Sequence, residues 1–110
     1  MSESKSHTDL LLMSNPQLLA LDGEVLCSRL VQSALSGRNE TEILRICVFL
    51  SEHPSAEVRG AVVSCIGHLA RLHGRLDLEL AGQALGRVSL DPRLQGRVGD
   101  AWDDIHTFSE

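Results

Sequence analysis

Tyrosine is absent, and the other aromatic side chains are only Trp102, Phe49 and Phe108. A β-sheet protein would draw on more aromatic and β-branched residues, so a sandwich or barrel is disfavoured and an aliphatic helical core is favoured. No apolar run is long. Leu10–Met13 covers four residues before Asn15-Pro16-Gln17 breaks it, which is too short for a signal-peptide core or a membrane span. The expected location is therefore the cytoplasm, with no membrane partner. Cysteine is sparse and odd in number, as Cys27, Cys47 and Cys65, with no CxxC pair. Buried free thiols are expected, and no zinc site. Neither HExxH nor GxSxG occurs, and no nucleophile, base and orienting group can be assembled, so the sequence reads as a non-enzyme without a cofactor.

Positive charge is also in deficit. Ten basic residues face fifteen acidic ones, for a formal net charge of −5. Direct nucleic-acid binding, which draws its affinity from neutralised phosphates, is thereby disfavoured. The imbalance is local: Arg59–Arg97 holds six arginines against Asp77, Glu79 and Asp91, whereas Asp100–Glu110 holds four acids and no Lys or Arg. Such an acidic end suits a basic partner, and equally suits a solubilising tail. What the chain does have is 43% apolar residues over 110 positions, enough for the core of one small globular domain.

Met1–His7 is polar and reads as a frayed start, with residues 1–8 expected to be disordered. Thr8 or Asp9 would cap a short helix to Met13, and Ser14-Asn15-Pro16 restarts the helical signal. Gln17–Leu21 reads either as a continuation of one bent helix or as two separate turns. Asp22 would cap a helix to about Ser36 with Val25, Leu26, Leu30, Val31, Ala34 and Leu35 inward, and Gly37 would end it. Residues 9–37 thus read as a degenerate capping hairpin. Asn39 and Glu42 are spaced as a capping box, followed by Ile43, Leu44, Ile46, Cys47 and Leu50. Pro54 stops that helix, and the short turn makes it the antiparallel neighbour of the next. In Ser55–Gly74, Val58, Ala61, Val62, Cys65, Ile66 and Leu69 form one stripe, with Ser55 as cap and Gly74 as a left-handed end. A weaker helix over Leu78–Leu90 would bury Leu80, Ala84, Leu85 and Val88. Asp91-Pro92 then opens the last helix, with Leu94, Val98, Ala101, Trp102 and Ile105 inward.

The last two strong helices repeat. Laying Ser55 over Asp91, an offset of 36 residues, matches Val58 with Leu94, Gly60 with Gly96, Val62 with Val98, Cys65 with Ala101, Ile66 with Trp102 and Leu69 with Ile105. A two-helix unit with a period of about 30–45 residues is the mark of a helical solenoid. The stretch SAEVRGAVVSCIGHLA resembles the second helix of a HEAT repeat, in Val58, Arg59, Val62, Cys65, Ile66, Gly67 and Leu69. VRGAVVSCIGHLARLHGRLDLE followed by DPRLQGRVGDAWDDI is similar to small HEAT-like bacterial proteins of polymorphic-toxin and contact-dependent growth-inhibition loci, over roughly Glu40 to Phe108. The resemblance implies an all-α, right-handed superhelix of about five to six helices, with hairpins at 39–74 and 77–108. It also implies an immunity protein that binds and neutralises a cognate toxin domain. An adaptor of the same fold, binding a protein or peptide, is the alternative.

The repeat places Ser64 level with Asp100, Gly67 with Asp103, His68 with Asp104 and Arg71 with Thr107, all off the apolar stripes. Ser64, His68, Arg71, Asp100, Asp103 and Asp104 are accordingly the candidate partner-binding residues. Asp100 and Asp104 repel at i,i+4, a cost that a cationic partner would offset. The competing reading is a solvated face with Asp104 paired to His68 or Asp100 to Arg97. His68 and His73 lie on different faces and do not chelate, and the three aspartates on one helix make a poor cation site, so no metal is expected. Arg59 is expected to join the repeats through Glu57, Asp77 or Asp91. The glycines at 60, 67, 96 and 99 are expected to permit close helix approach.

Overall fold

The chain builds helices in the positions the apolar periodicity predicts. The computed structural model describes residues 10–36 and 39–108, and within them every regular element is helical. The expected N-terminal disorder, the Thr8 or Asp9 cap and the Gly37 stop lie outside the described residues. Leu10–Leu12 is a single 3₁₀ turn with Leu10 buried, and a separate helix α1 follows over Asn15–Ala20. Ser14 and Gln17 cap each other reciprocally and Pro16 sits in the first turn, so the start of α1 is locally determined.

Helix α2 runs over Gly23–Leu35 and buries Leu26, Leu30 and Ala34. Asp22 occupies its cap position but makes no side-chain cap bond, and Leu35, expected inward, is 56% exposed at the helix end. Helix α3 covers Glu40–Leu50 with Ile43, Leu44, Cys47 and Leu50 inward. Asn39 Oδ1 accepts from the Glu42 N–H, but the Glu42 carboxylate turns away to Arg45 at 3.1 Å, so only half of the capping box forms. Helix α4, Ala56–His73, is capped by Ser55 and buries Val58, Val62, Val63, Cys65, Ile66, Leu69 and Ala70. Gly74 has the expected positive φ of 78°, but its ψ of −70° and the 2.9 Å bond from the Arg75 N–H to the His73 carbonyl make a γ-turn rather than a left-handed helical cap. Helix α5, Leu78–Val88, buries Ala81, Ala84, Leu85 and Val88. Asp91 then caps a 3₁₀ turn at Pro92–Leu94 that leads directly into α6, Gln95–Phe108.

Helix α4 is the centre of the fold. It packs between α2 and α6, while α3 packs on α4 and beside α5. Gly23 of α2 lies against Val58, and the Cys27 thiol donates to the Glu57 carbonyl at 3.4 Å. Along the other flank of α4, Gly60 meets Arg97, Gly67 meets Asp104 and Gly74 meets the Phe108 carbonyl. Start lies against start and end against end, so α2, α4 and α6 run parallel in one layer. Arg87 near the end of α5 donates to the Val48 carbonyl of α3 at 3.4 Å and pairs with Glu52 at 3.5 Å, so α3 and α5 also run parallel.

Arg59 ties the last two hairpins together. Its guanidinium donates to the carbonyls of His53 at 2.7 Å and Pro54 at 3.0 Å, and to Asp91 at 2.8 Å. Of the three expected acids, Asp91 is the partner. Arg93 adds two further bonds to the same carboxylate, at 3.0 and 2.8 Å. Hydrogen bonds from Arg93 first, then from Arg59, hold the Asp91 carboxyl well below the usual range.

Candidate functional site

The α4–α6 seam is lined with small residues on the α4 side, because Gly60 and Gly67 stand where α6 crosses closely. Above the seam the surface opens into a cleft of about 340 Å³ with Val63 and Ala101 in its lining. Helix α4 contributes Ser64, His68 and Arg71 to its walls, and α6 contributes Arg97, Asp100 and Asp104. Five of the six candidate binding residues therefore meet in one place. Asp103 is the sixth; it is exposed on α6 and does not line the cleft.

The cross-helix pairing differs from the level pairing of the repeat. Asp104 accepts from Arg71 at 2.5 Å, and the same guanidinium lies 3.0 Å from His68 Nδ1. Arginine carries only donors, so His68 Nδ1 is the accepting nitrogen and the ring proton sits on Nε2. Asp104 thus faces Gly67 and Arg71, where the repeat set it level with His68. Two parallel copies of one helix packed side by side meet through opposite flanks, so the residues that touch come from different places in the repeat.

Asp100 and Asp103 make no ion pair among the described residues, and neither does Arg97. The Asp100–Arg97 pairing of the solvated reading is therefore not formed. Arg97 is what sequence reasoning undervalued. It lies over Gly60, so close that a β-carbon there would stand 2.7 Å from its Nη1. It also borders a second cleft of about 420 Å³ between α2 and α4, shared through Ser64. The floor of that cleft is Cys27, Val31 and Ala61, and Glu24 and Glu57 form its acidic rim. A repeat alignment does not reveal this, since it compares α4 with α6 and says nothing of α2.

Cys27 departs from the expected burial. It is half-exposed in the second cleft, and burial first, then the Glu57 charge, push its thiol above the usual value. Cys47 and Cys65 are buried as expected, and the Cys47 thiol is pushed up by its hydrogen bond with Cys65 and by burial. His73 stands apart from His68, with Nδ1 3.9 Å from the Glu40 carboxylate and Nε2 buried without a hydrogen-bond partner among the described residues. Trp102 is half-buried rather than core, stacked on His106 with ring centroids 5.9 Å apart. Its repeat mate Ile66 is fully buried because α4 has helices on both flanks, whereas α6 has α4 on one side only.

Gly96 and Gly99 do not serve close approach among the described residues, where a β-carbon at either meets no atom within 4 Å. Among the described residues, no group of three or more His, Cys, Asp or Glu could hold a metal, and no helix is long and apolar enough to cross a membrane. The site defines an all-helical protein with a mixed-charge cleft across parallel helices. No family model, no curated protein and no solved structure matches the chain.

Proposed function

We propose that this chain is a HEAT-like binding protein of the immunity class, acting in the cytoplasm by covering the active site of a cognate toxin domain. The observation that carries the reading is the pair of exposed aspartates, Asp100 and Asp103, without a cation partner among the described residues. Carboxylates that stand unpaired on a rigid helix are ready to meet Lys or Arg of a docking surface. Nuclease clefts carry such cations because their substrate is anionic, so a nuclease toxin fits best. The action is occlusion; the chain performs no chemistry and needs no cofactor. The stacking of parallel α2, α4 and α6 over α3 and α5 supports the solenoid reading, with Arg59–Asp91 as the repeat-joining pair.

The test is co-purification of the chain with the toxin domain encoded beside it, and protection of cells expressing that toxin. Asp100→Lys/Asp103→Lys is the sharper probe, since altering Asp104 would also break its bond to Arg71. Loss of binding with an unchanged melting curve supports the reading. Retained binding and protection remove the acidic face from the mechanism. The α2–α4 cleft, with its apolar floor and acidic rim, favours the adaptor alternative: a peptide lying in that groove. Protection that survives the double substitution but fails in Val31→Arg would select the groove.

A further inference from the structure

The surface shared by α2 and α4 changes character from one end to the other. On α2, Glu24, Cys27, Val31 and Leu35 follow one another at spacings of three or four, so they lie in one row. On α4, Glu57, Ala61, Ser64, His68 and Leu72 make the facing row at the same spacings. Because the two helices run parallel, Glu24 and Glu57, each in a first turn, stand at one end. Leu35 and Leu72, each in a last turn, stand at the other. The α2–α4 cleft lies between the rows, with Cys27, Val31 and Ala61 as its floor. Beyond the cleft the surface stays apolar and uncovered, with Leu35 56% and Leu72 52% exposed. Glu24 and Glu57 are exposed, and neither is in an ion pair among the described residues. Arg97 reaches the same cleft from α6, so two carboxylates face one guanidinium and the polar end keeps a net negative charge.

We propose that this groove docks one amphipathic helix of a partner protein, with Lys or Arg at one end of its apolar stripe and large aliphatic residues at the other. The cation meets Glu24 and Glu57 while its aliphatic stem lies on the apolar floor, and the aliphatic end covers Leu35 and Leu72. Leu35 is eleven positions beyond Glu24, about 16 Å or three turns along a helix, which sets the length of the docked segment. A helix fits better than an extended peptide. The groove walls are helices whose own backbone groups are already paired, so an extended backbone would find nothing to bond with. The glutamate end refuses an acidic segment, and a segment without an apolar stripe leaves the two leucines in water. The inference rests on the groove reading of the α2–α4 cleft, to which it adds the partner, and not on Asp100 and Asp103.

The experiment is selection of a displayed library of random peptides of about 14 residues, long enough for three to four helical turns, on the purified chain. Fluorescence anisotropy then measures binding of the enriched peptides. The expected result is enrichment of sequences with Lys or Arg at one end and aliphatic residues at helical spacing beyond it. Glu24→Lys/Glu57→Lys and Leu35→Glu/Leu72→Glu should each weaken binding by about tenfold or more, and the first should also remove most of its salt dependence. Asp100→Lys/Asp103→Lys should leave binding unchanged. All six substituted side chains are exposed, and circular dichroism with melting curves confirms that the variants keep the fold. A library that yields no binder overturns the proposal. Binders that are acidic or lack the apolar stripe, yet are lost in Val31→Arg, overturn the partner while the groove reading stands. Binders indifferent to Val31→Arg and to both groove pairs overturn the groove reading as well.

Discussion

Replacing Gly60 by alanine should stabilise the protein, although Gly60 is buried between two helices. Alanine is better than glycine in a helix interior by about 0.5–1 kcal/mol, chiefly because the unfolded chain loses freedom. Against this stands the contact of the new β-carbon with Arg97, 2.7 Å from Nη1 and 3.5 Å from Cζ, whereas Leu94 at 3.8 Å is at an ordinary distance. The obstructing atoms are the far end of a flexible side chain that holds no ion pair among the described residues. Turning it outward costs a few tenths of a kcal/mol at most, about the cost of an imperfect rotamer. The net gain is about 0.5 kcal/mol, which in a domain of this size raises Tm by about 2–4 °C. Urea and thermal unfolding measure it, with an unchanged m-value as the check that the unfolded state is comparable. The same substitution in an Arg97→Ala background should gain slightly more, because the contact is gone. A loss of about 1 kcal/mol or more in both backgrounds would refute the reasoning. It would mean that the packing of α4 against α6 at this point requires a residue without a β-carbon.

Gly74→Ala should do the opposite and destabilise by about 1–2 kcal/mol or more, the scale of an L-residue's cost at positive φ. Its φ is 78°, and the added β-carbon would stand 2.9 Å from the rigid Phe108 carbonyl; calorimetry of the variant beside Gly60→Ala makes the contrast. Acid should loosen the joint between the hairpins. Asp91 is held below its unfolded value, so its contribution is complete above the ordinary aspartate range of about 3.9 and is lost as pH falls below it toward the depressed folded value. Urea midpoints at neutral and strongly acidic pH should therefore converge between wild type and Asp91→Asn, with wild type ahead only at neutral pH; a constant gap would show that Asp91 is not the titrating group.

Much of the fold can be read from local chemistry. Ser14 with Gln17, Ser55, Asp77 and Asp91 announce helix starts through bonds to N–H groups two or three residues away, and such contacts involve no distant part of the chain. The inward stripe of α4 follows from the 3.6-residue turn alone, and all but half-buried Ala61 is buried as expected. A few local expectations miss, such as the Asp22 cap, which makes no side-chain bond, but the larger misses are of another kind. Leu35 and Trp102 have the right spacing for a core, but Leu35 is exposed at a helix end and Trp102 is covered only in part, on the side where it meets Gly82 of α5. Gly60 and Gly96 are equivalent in the repeat, yet only Gly60 has a helix pressed against it. Periodicity says which face of a helix is apolar, but not what will cover it.

The candidate site divides in the same way. Ser64, His68, Arg71, Asp100 and Asp104 gather in one cleft because the repeat sets two similar helices side by side, and that much was contained in the amino-acid sequence. The pairing within the cleft was not. Arg71 reaches Asp104, and Arg97 crosses Gly60 to join two clefts, because parallel helices meet through opposite flanks at a stagger set by packing. Helix positions, caps and the inward stripes were thus determined by the sequence by itself, since each depends on residues within a turn or two. Which carboxylates are neutralised at home and which stand free was decided only by the tertiary structure, since that depends on where a neighbouring helix comes to rest.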